Sequence, residues 1–118
     1  MARSIVPIDD DDCLYRRLVP DHLYPDGNVN SNAFKLKGKP DASVSVDLAK
    51  LTTPDESIAR GDRRDTMLGV LVARDVRALG LTVRHEPNDE NPAHAVIEGN
   101  TSRSMCRKLA AITRGQQS

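Results

Sequence analysis

The chain has almost no aromatic surface: one Phe, two Tyr and no Trp in 118 residues. A single-stranded nucleic-acid platform needs aromatic faces beside basic side chains, so that class is disfavoured from the outset. Net charge is also missing. Seventeen basic side chains balance 17 acidic ones, which leaves no global field to draw in a polyanion. The distribution is only mildly uneven, with 7 basic and 10 acidic side chains in residues 1–57 and 10 and 7 in residues 58–118. Cysteine is nearly absent as well. Cys13 and Cys106 lie near opposite ends with no C-x-x-C spacing, which excludes a thiol redox motif and a disulfide framework. No run approaches the roughly 18 apolar residues of a membrane span. Met1–Pro7 is too short and polar for the apolar core of a signal peptide, so the expected location is the cytoplasm, with reduced thiols.

What remains is a 38% apolar sequence whose core must come from Val, Leu, Ile and Ala. Its length fits one domain. Four consecutive aspartates, Asp9–Asp12, predict a solvated, flexible acidic tail over residues 1–12, a folded domain over 13–114 and a frayed end over 115–118. Cys13–Val19 has the length and aliphatic content of a strand, closed by Pro20. Pro25-Asp26-Gly27-Asn28 is a turn. Ala33–Lys37 and Ser43–Leu48 both alternate, and Gly38–Asp41 between them suggests an antiparallel hairpin.

Thr53-Pro54-Asp55-Glu56 sets a capping threonine, a proline at the first helical position and a glutamate three residues after the cap. It predicts a short helix ending near Arg60, before Gly61 and the charged loop Asp62–Asp65. Met67–Val72 reads as a central strand buried on both faces. Arg74–Leu79 reads as a helix stopped by Gly80. Too few residues separate Val72 from Leu81 for a parallel crossover, so the next strand is expected to turn back or join the sheet elsewhere, and a βαβ unit is disfavoured. Leu81–Glu86 and Ala93–Glu98 suggest a second hairpin around Pro87–Pro92, a loop of ordinary Asx turn chemistry. Ser102–Thr113 carries the apolar stripe Met105, Leu109 and Ile112. The fold class is therefore α+β: one small domain, a mainly antiparallel sheet of five to six strands, three short helices, and the last, amphipathic helix packed on the sheet.

Two constellations could carry chemistry. Arg16 and Arg17 are adjacent in an apolar strand, so one guanidinium must point to the core side. There it needs a carboxylate such as Asp47, or a cleft that binds an anion. The second is the hairpin of His85 and His94. If Glu86 opposes Ala93, the two imidazoles face each other, with Glu98 two pairs along on the same sheet face. A one-residue slip separates them. No metal is expected, since a third and fourth ligand are lacking, and the common phosphate-loop, dinucleotide, nucleophile-elbow and zinc-protease motifs are absent.

The strings Leu14-Tyr15-Arg16-Arg17, Asp26-Gly27, Ser31-Asn32-Ala33-Phe34, Ser45-Val46, Ala78-Leu79-Gly80-Leu81 and Asn91-Pro92-Ala93-His94-Ala95 are similar to those of a group of small bacterial proteins. That group shares LYRR, SxAF, SV, LGL and NPAHA in this order and has no known activity. The resemblance implies a bacterial cytosolic protein. More loosely, Arg16 or Arg17, Ser31 and Glu98 follow the order in which ADP-ribosyltransferase-like toxins present an arginine, a serine and a glutamate, which would imply NAD as the bound cofactor.

The leading expectation is a binding or regulatory module with no cofactor. It would act on a protein partner in a multi-gene system of the defence or toxin–antitoxin kind. Arg16, Arg17, His85, His94 and Glu98 are its candidate contact residues. The alternatives are an NAD-using transferase built on Arg16, Arg17, Ser31 and Glu98, and weak nucleic-acid binding through Lys35, Lys37, Lys39 and the basic C-terminal residues.

Overall fold

The computed structural model describes residues 5–34, 43–61, 67–99 and 102–115. Six strands form one antiparallel sheet: β1 (Cys13–Leu18), β2 (Val44–Leu48), β3 (Met67–Val72), β4 (Thr82–His85), β5 (His94–Glu98) and β6 (Arg114–Gly115). Their spatial order is β4-β5-β2-β1-β3-β6. β3 and β4 therefore lie on opposite sides of β1, β2 and β5. The successive antiparallel pairings leave them running the same way, so α2 carries a parallel crossover over three strands, contrary to the expectation from the short connection. Three helices complete the fold: α1 (Pro54–Ala59), α2 (Ala73–Ala78) and α3 (Arg103–Ala111). None is long and apolar enough to cross a membrane.

Strand alternation gives the sheet two unlike faces. One face collects Leu14 and Leu18 from β1, Val44, Val46 and Leu48 from β2, Leu71 from β3, and Ala95 and Ile97 from β5, all buried. Ala73 and Val76 of α2 and Cys106, Leu109 and Ala110 of α3 join them in one core, with Ala33 and Phe34. α3 is thus the amphipathic cover its sequence predicts, capped by Ser102, whose side chain accepts the Met105 N–H. Gly80 ends α2 at φ +88°, a conformation that L side chains rarely adopt. Gly69 is required by close approach, because a Cβ there would lie 2.5 Å from the Thr113 side chain.

The opposite face, with Tyr15, Arg17, Ser45, Asp47, His94, Val96 and Glu98, is largely polar and is covered over part of its area by α1. α1 begins as expected, with Thr53 Oγ1 accepting the Glu56 N–H at 3.2 Å and Pro54 at the first helical position. Val70 and Val72 alternate onto this side and are only half-buried, so β3 is less enclosed than its unbroken apolar run suggests.

Two expectations need correction. Ala33 and Phe34 belong to a 3-10 turn, Ser31–Phe34, rather than a strand. Apolar alternation over so few residues cannot tell a strand edge from a turn that buries Phe34. The rest of that expected strand, with Lys35 and Lys37, lies outside the described residues, as do Lys39 and the Asp62–Asp65 loop. The acidic run is also anchored rather than free. Ile8 is buried, the Ala73 N–H donates to Asp12 O at 2.9 Å, Asp10 pairs with Arg77 at 2.7 Å, and Asp11 pairs with Arg74. Asp12 accepts from Lys50 Nζ at 2.9 Å. Three cations on two segments, Lys50 after β2 and Arg74 and Arg77 of α2, offset the repulsion that the aspartates would otherwise feel.

Candidate functional site

The polar face owes its order to Asp47. The side chain is 1% exposed, and both carboxylate oxygens accept hydrogen bonds. Oδ2 accepts from Ser57 Oγ at 2.6 Å, Arg17 Nη1 at 3.2 Å and Arg60 Nη1 at 3.5 Å, while Oδ1 accepts from Asn91 Nδ2 at 2.7 Å. A buried carboxylate is tolerated only when paired and fully hydrogen-bonded, and these four donors meet that condition. They come from β1, α1, the residue that ends α1, and the β4–β5 loop. One side chain therefore ties together elements distant in sequence. Arg17 Nη1 also donates to Ser57 O at 3.1 Å, and Arg60 Nη1 to Thr52 Oγ1 at 2.9 Å.

Beside this hub opens a cleft of about 390 Å³ lined by Arg17, Ser45, Arg60, Asn88, Glu90, Asn91 and His94. Asn91 fixes its loop wall: its side-chain oxygen accepts the Ala93 N–H at 3.0 Å. Asn88 Oδ1 accepts the N–H groups of Glu90 and Asn91 at 3.0 and 2.8 Å. Among the described residues, the Asn88 amide nitrogen and the Arg60 Nε and Nη2 have no hydrogen-bond partner. Donors of fixed position therefore face a space that a ligand can enter.

The two arginines part company, as alternation demands. Arg16 turns to the packed side. Its Nε donates to Ala33 O at 2.9 Å, its Nη1 to Ser45 O at 2.8 Å, and its guanidinium lies 5.9 Å from the centroid of Phe34. Arg17 turns to the polar side and pairs with Asp47, so the carboxylate expected for the core-side arginine is taken by its neighbour, while Arg16 donates to backbone carbonyls.

The histidine pair does not form. The hairpin register is His85 opposite Ala95 and Val83 opposite Ile97, one residue away from the register that would pair the imidazoles. His85 faces the packed side and is 4% exposed; His94 faces the cleft. The cause is the β5 run Ala95-Val96-Ile97, which is apolar at successive positions and buried throughout, so its alternation does not specify a face. The register is instead held by Asn91, clasped to Asp47, and by the Glu86 N–H donating to His94 O at 2.8 Å.

Glu98 shares the polar face with His94 but is engaged elsewhere. Arg84 donates to it from Nε at 2.9 Å and from Nη2 at 3.2 Å, and also reaches Glu86 at 2.7 Å. The Arg84 hydrogen bonds hold the Glu98 carboxyl below its ordinary value, and the same bonds raise the guanidinium further. Ser31 opens the 3-10 turn that packs on the other side of the sheet with Arg16. Arg16 with Ser31 and Arg17 with Glu98 therefore fall on opposite sides, and the four do not converge on one pocket. No group of three or more His, Cys, Asp or Glu side chains that could hold a metal ion occurs among the described residues. Comparison with protein-family models, curated proteins and solved structures returns no match.

Sequence reading found Arg17 and His94 of the cleft, and named Asp47 as a partner for an inward arginine. It missed Ser45, Arg60, Asn88, Glu90 and Asn91. A polar residue in an alternating strand looks solvent-facing, and loop Asx residues look like turn formers. Both descriptions are true of these residues and neither reveals the cleft.

Proposed function

We propose that this protein is a binding module whose polar sheet face docks a protein partner, with the cleft beside Asp47 as the recognition site. The partner group that fits is a hydrogen-bond acceptor, a side-chain carboxylate first, received by the unpartnered donors of Arg60 and Asn88. The observation that supports this most is their placement. Asp47 and the Asx loop hold the cleft wall in one geometry before any ligand arrives, so little ordering remains to be done on binding. The strings that carry the resemblance to small bacterial proteins also supply Arg17, Ser45, Asn91 and His94 of the same cleft, although they are scattered along the chain.

The test compares wild type with a Ser45→Arg/Glu90→Arg variant, which fills the cleft from exposed positions and leaves the Asp47 hub intact. Tagged protein is recovered from the native host in both forms. A protein recovered stoichiometrically with wild type and lost with the folded variant supports the reading. Equal recovery with both forms overturns it.

A further inference from the structure

We infer that Ser45 and His94 form a nucleophile–base pair, and that the cleft accepts an acyl ester or thioester whose carbonyl carbon Ser45 attacks. This goes beyond partner docking: it uses the same cleft and assigns a chemical role to two of its side chains. His94 Nδ1 lies 2.8 Å from the backbone carbonyl of Glu86. A carbonyl only accepts, so Nδ1 carries the hydrogen, and Nε2 of the neutral ring is left as an acceptor. Nε2 lies 3.4 Å from Ser45 Oγ. The serine hydroxyl therefore donates to the ring nitrogen able to take its proton. That is the arrangement nucleophilic catalysis needs: nucleophile, base, and a third group fixing the tautomer of the base. Such contacts are commonly long in the absence of substrate. The Glu86 carboxylate also lies on the Nδ1 side of the ring, 4.0 Å away.

The pairing follows from the observed register. Asp47 opposes His94 and Ser45 opposes Val96, so Ser45 and His94 are diagonal neighbours on adjacent strands of one face. Both line the cleft, which has room for a small acyl group. The unpartnered Asn88 amide nitrogen and Arg60 N–H groups border the same space, where charge on the carbonyl oxygen would develop.

In the first half-reaction Ser45 Oγ bonds to the carbonyl carbon and its proton passes to His94 Nε2. The tetrahedral intermediate collapses, and the leaving alkoxide or thiolate departs with that proton as alcohol or thiol. Water, deprotonated by His94, then attacks the acyl-serine. A carboxylic acid is released and Ser45 Oγ is reprotonated, with no change of oxidation state.

The test uses a fluorophosphonate probe and p-nitrophenyl acetate on wild type, Ser45→Ala, His94→Gln and Asn88→Ala, each shown folded by circular dichroism. The expected result is a covalent adduct mapped to Ser45 by peptide mass. The adduct should be absent in Ser45→Ala and formed at least tenfold more slowly in His94→Gln. Asn88→Ala should slow ester turnover several-fold while leaving the midpoint of its pH profile in place. Failure of the native protein to label at Ser45, or equal labelling of wild type and His94→Gln, overturns the assignment. Neither outcome depends on a partner protein, so the docking proposal stands or falls separately.

Discussion

The two faces of one sheet differ in what they are made of and in what that makes possible. On the packed face, Val, Leu, Ile and Ala from β1, β2, β3, β5, α2 and α3 share one core, and any apolar group of the right volume would serve at most positions. On the polar face, order depends on named donors and acceptors around a single carboxylate, and few exchanges would preserve it. Apolar burial secures the fold with little chemical definition. The Asp47 hub defines a cleft whose walls are set to within a hydrogen bond. A domain with so few aromatics can thus hold a shaped, polar site, because the other side of the same strands carries the stability.

The sharpest way to break this comparison lies within β3, where neighbouring residues face opposite ways. Leu71→Ala removes fully buried volume from the packed face and should destabilise by about 2–5 kcal/mol. Val70→Ala, on the half-buried polar side, should cost under about 1 kcal/mol. Chemical denaturation of the two variants checks this, and equal losses would mean that β3 does not separate two environments. Next in size is Asp47→Ala, which leaves Arg17 and Arg60 without their shared carboxylate. A loss of about 2–4 kcal/mol is expected, given that both guanidinium groups keep some access to water. Amide shifts in the nuclear magnetic resonance spectrum should move on α1 and the β4–β5 loop more than on α3.

The smallest effect concerns the N-terminal anchor. Burial acts to raise the Asp12 carboxyl, but hydrogen bonds from Lys50 and the Asp9 N–H, with the charges of Lys50 and Arg77, outweigh it. Its pKa is held below the ordinary value of 3.8. A carboxyl lowered by folding contributes stability that is complete above the ordinary value. That contribution is lost as pH falls through the lower, folded value. Amide exchange at Val6 and Asp9 should therefore quicken below about pH 4 before the core amides do, and Lys50→Met should remove much of that difference.

Much of the fold was legible in the sequence because its signals are local. Thr53-Pro54-Asp55-Glu56 announces α1, Gly80 ends α2, the alternation of Val44, Val46 and Leu48 fixes β2, and Met67–Val72 matches β3 from end to end. The site was legible only in fragments. That one of Arg16 and Arg17 must turn inward follows from alternation, and Asp47 was a natural partner for an arginine of that strand. The convergence of Ser57, Arg60 and Asn91 on that carboxylate is a tertiary fact with no local trace. The β4–β5 register shows the limit most clearly. Three successive apolar residues in β5 left the faces of His85 and His94 undetermined until a long-range contact, Asn91 to Asp47, set them.

Those two histidines supply the most direct test of a sheet with two separately organised faces. His85 Nδ1 accepts the Val6 N–H at 3.0 Å, so its hydrogen resides on Nε2, 2.8 Å from Pro92 O. His94 is the reverse, with its hydrogen on Nδ1 against Glu86 O. Long-range ¹H–¹⁵N correlation spectra recorded with both rings neutral distinguish the two tautomers ring by ring. The account predicts the Nε2–H form for His85 and the Nδ1–H form for His94, each held as a single species. The same tautomer in both rings, or free exchange between forms in either, would contradict the register and the division of the sheet into two faces.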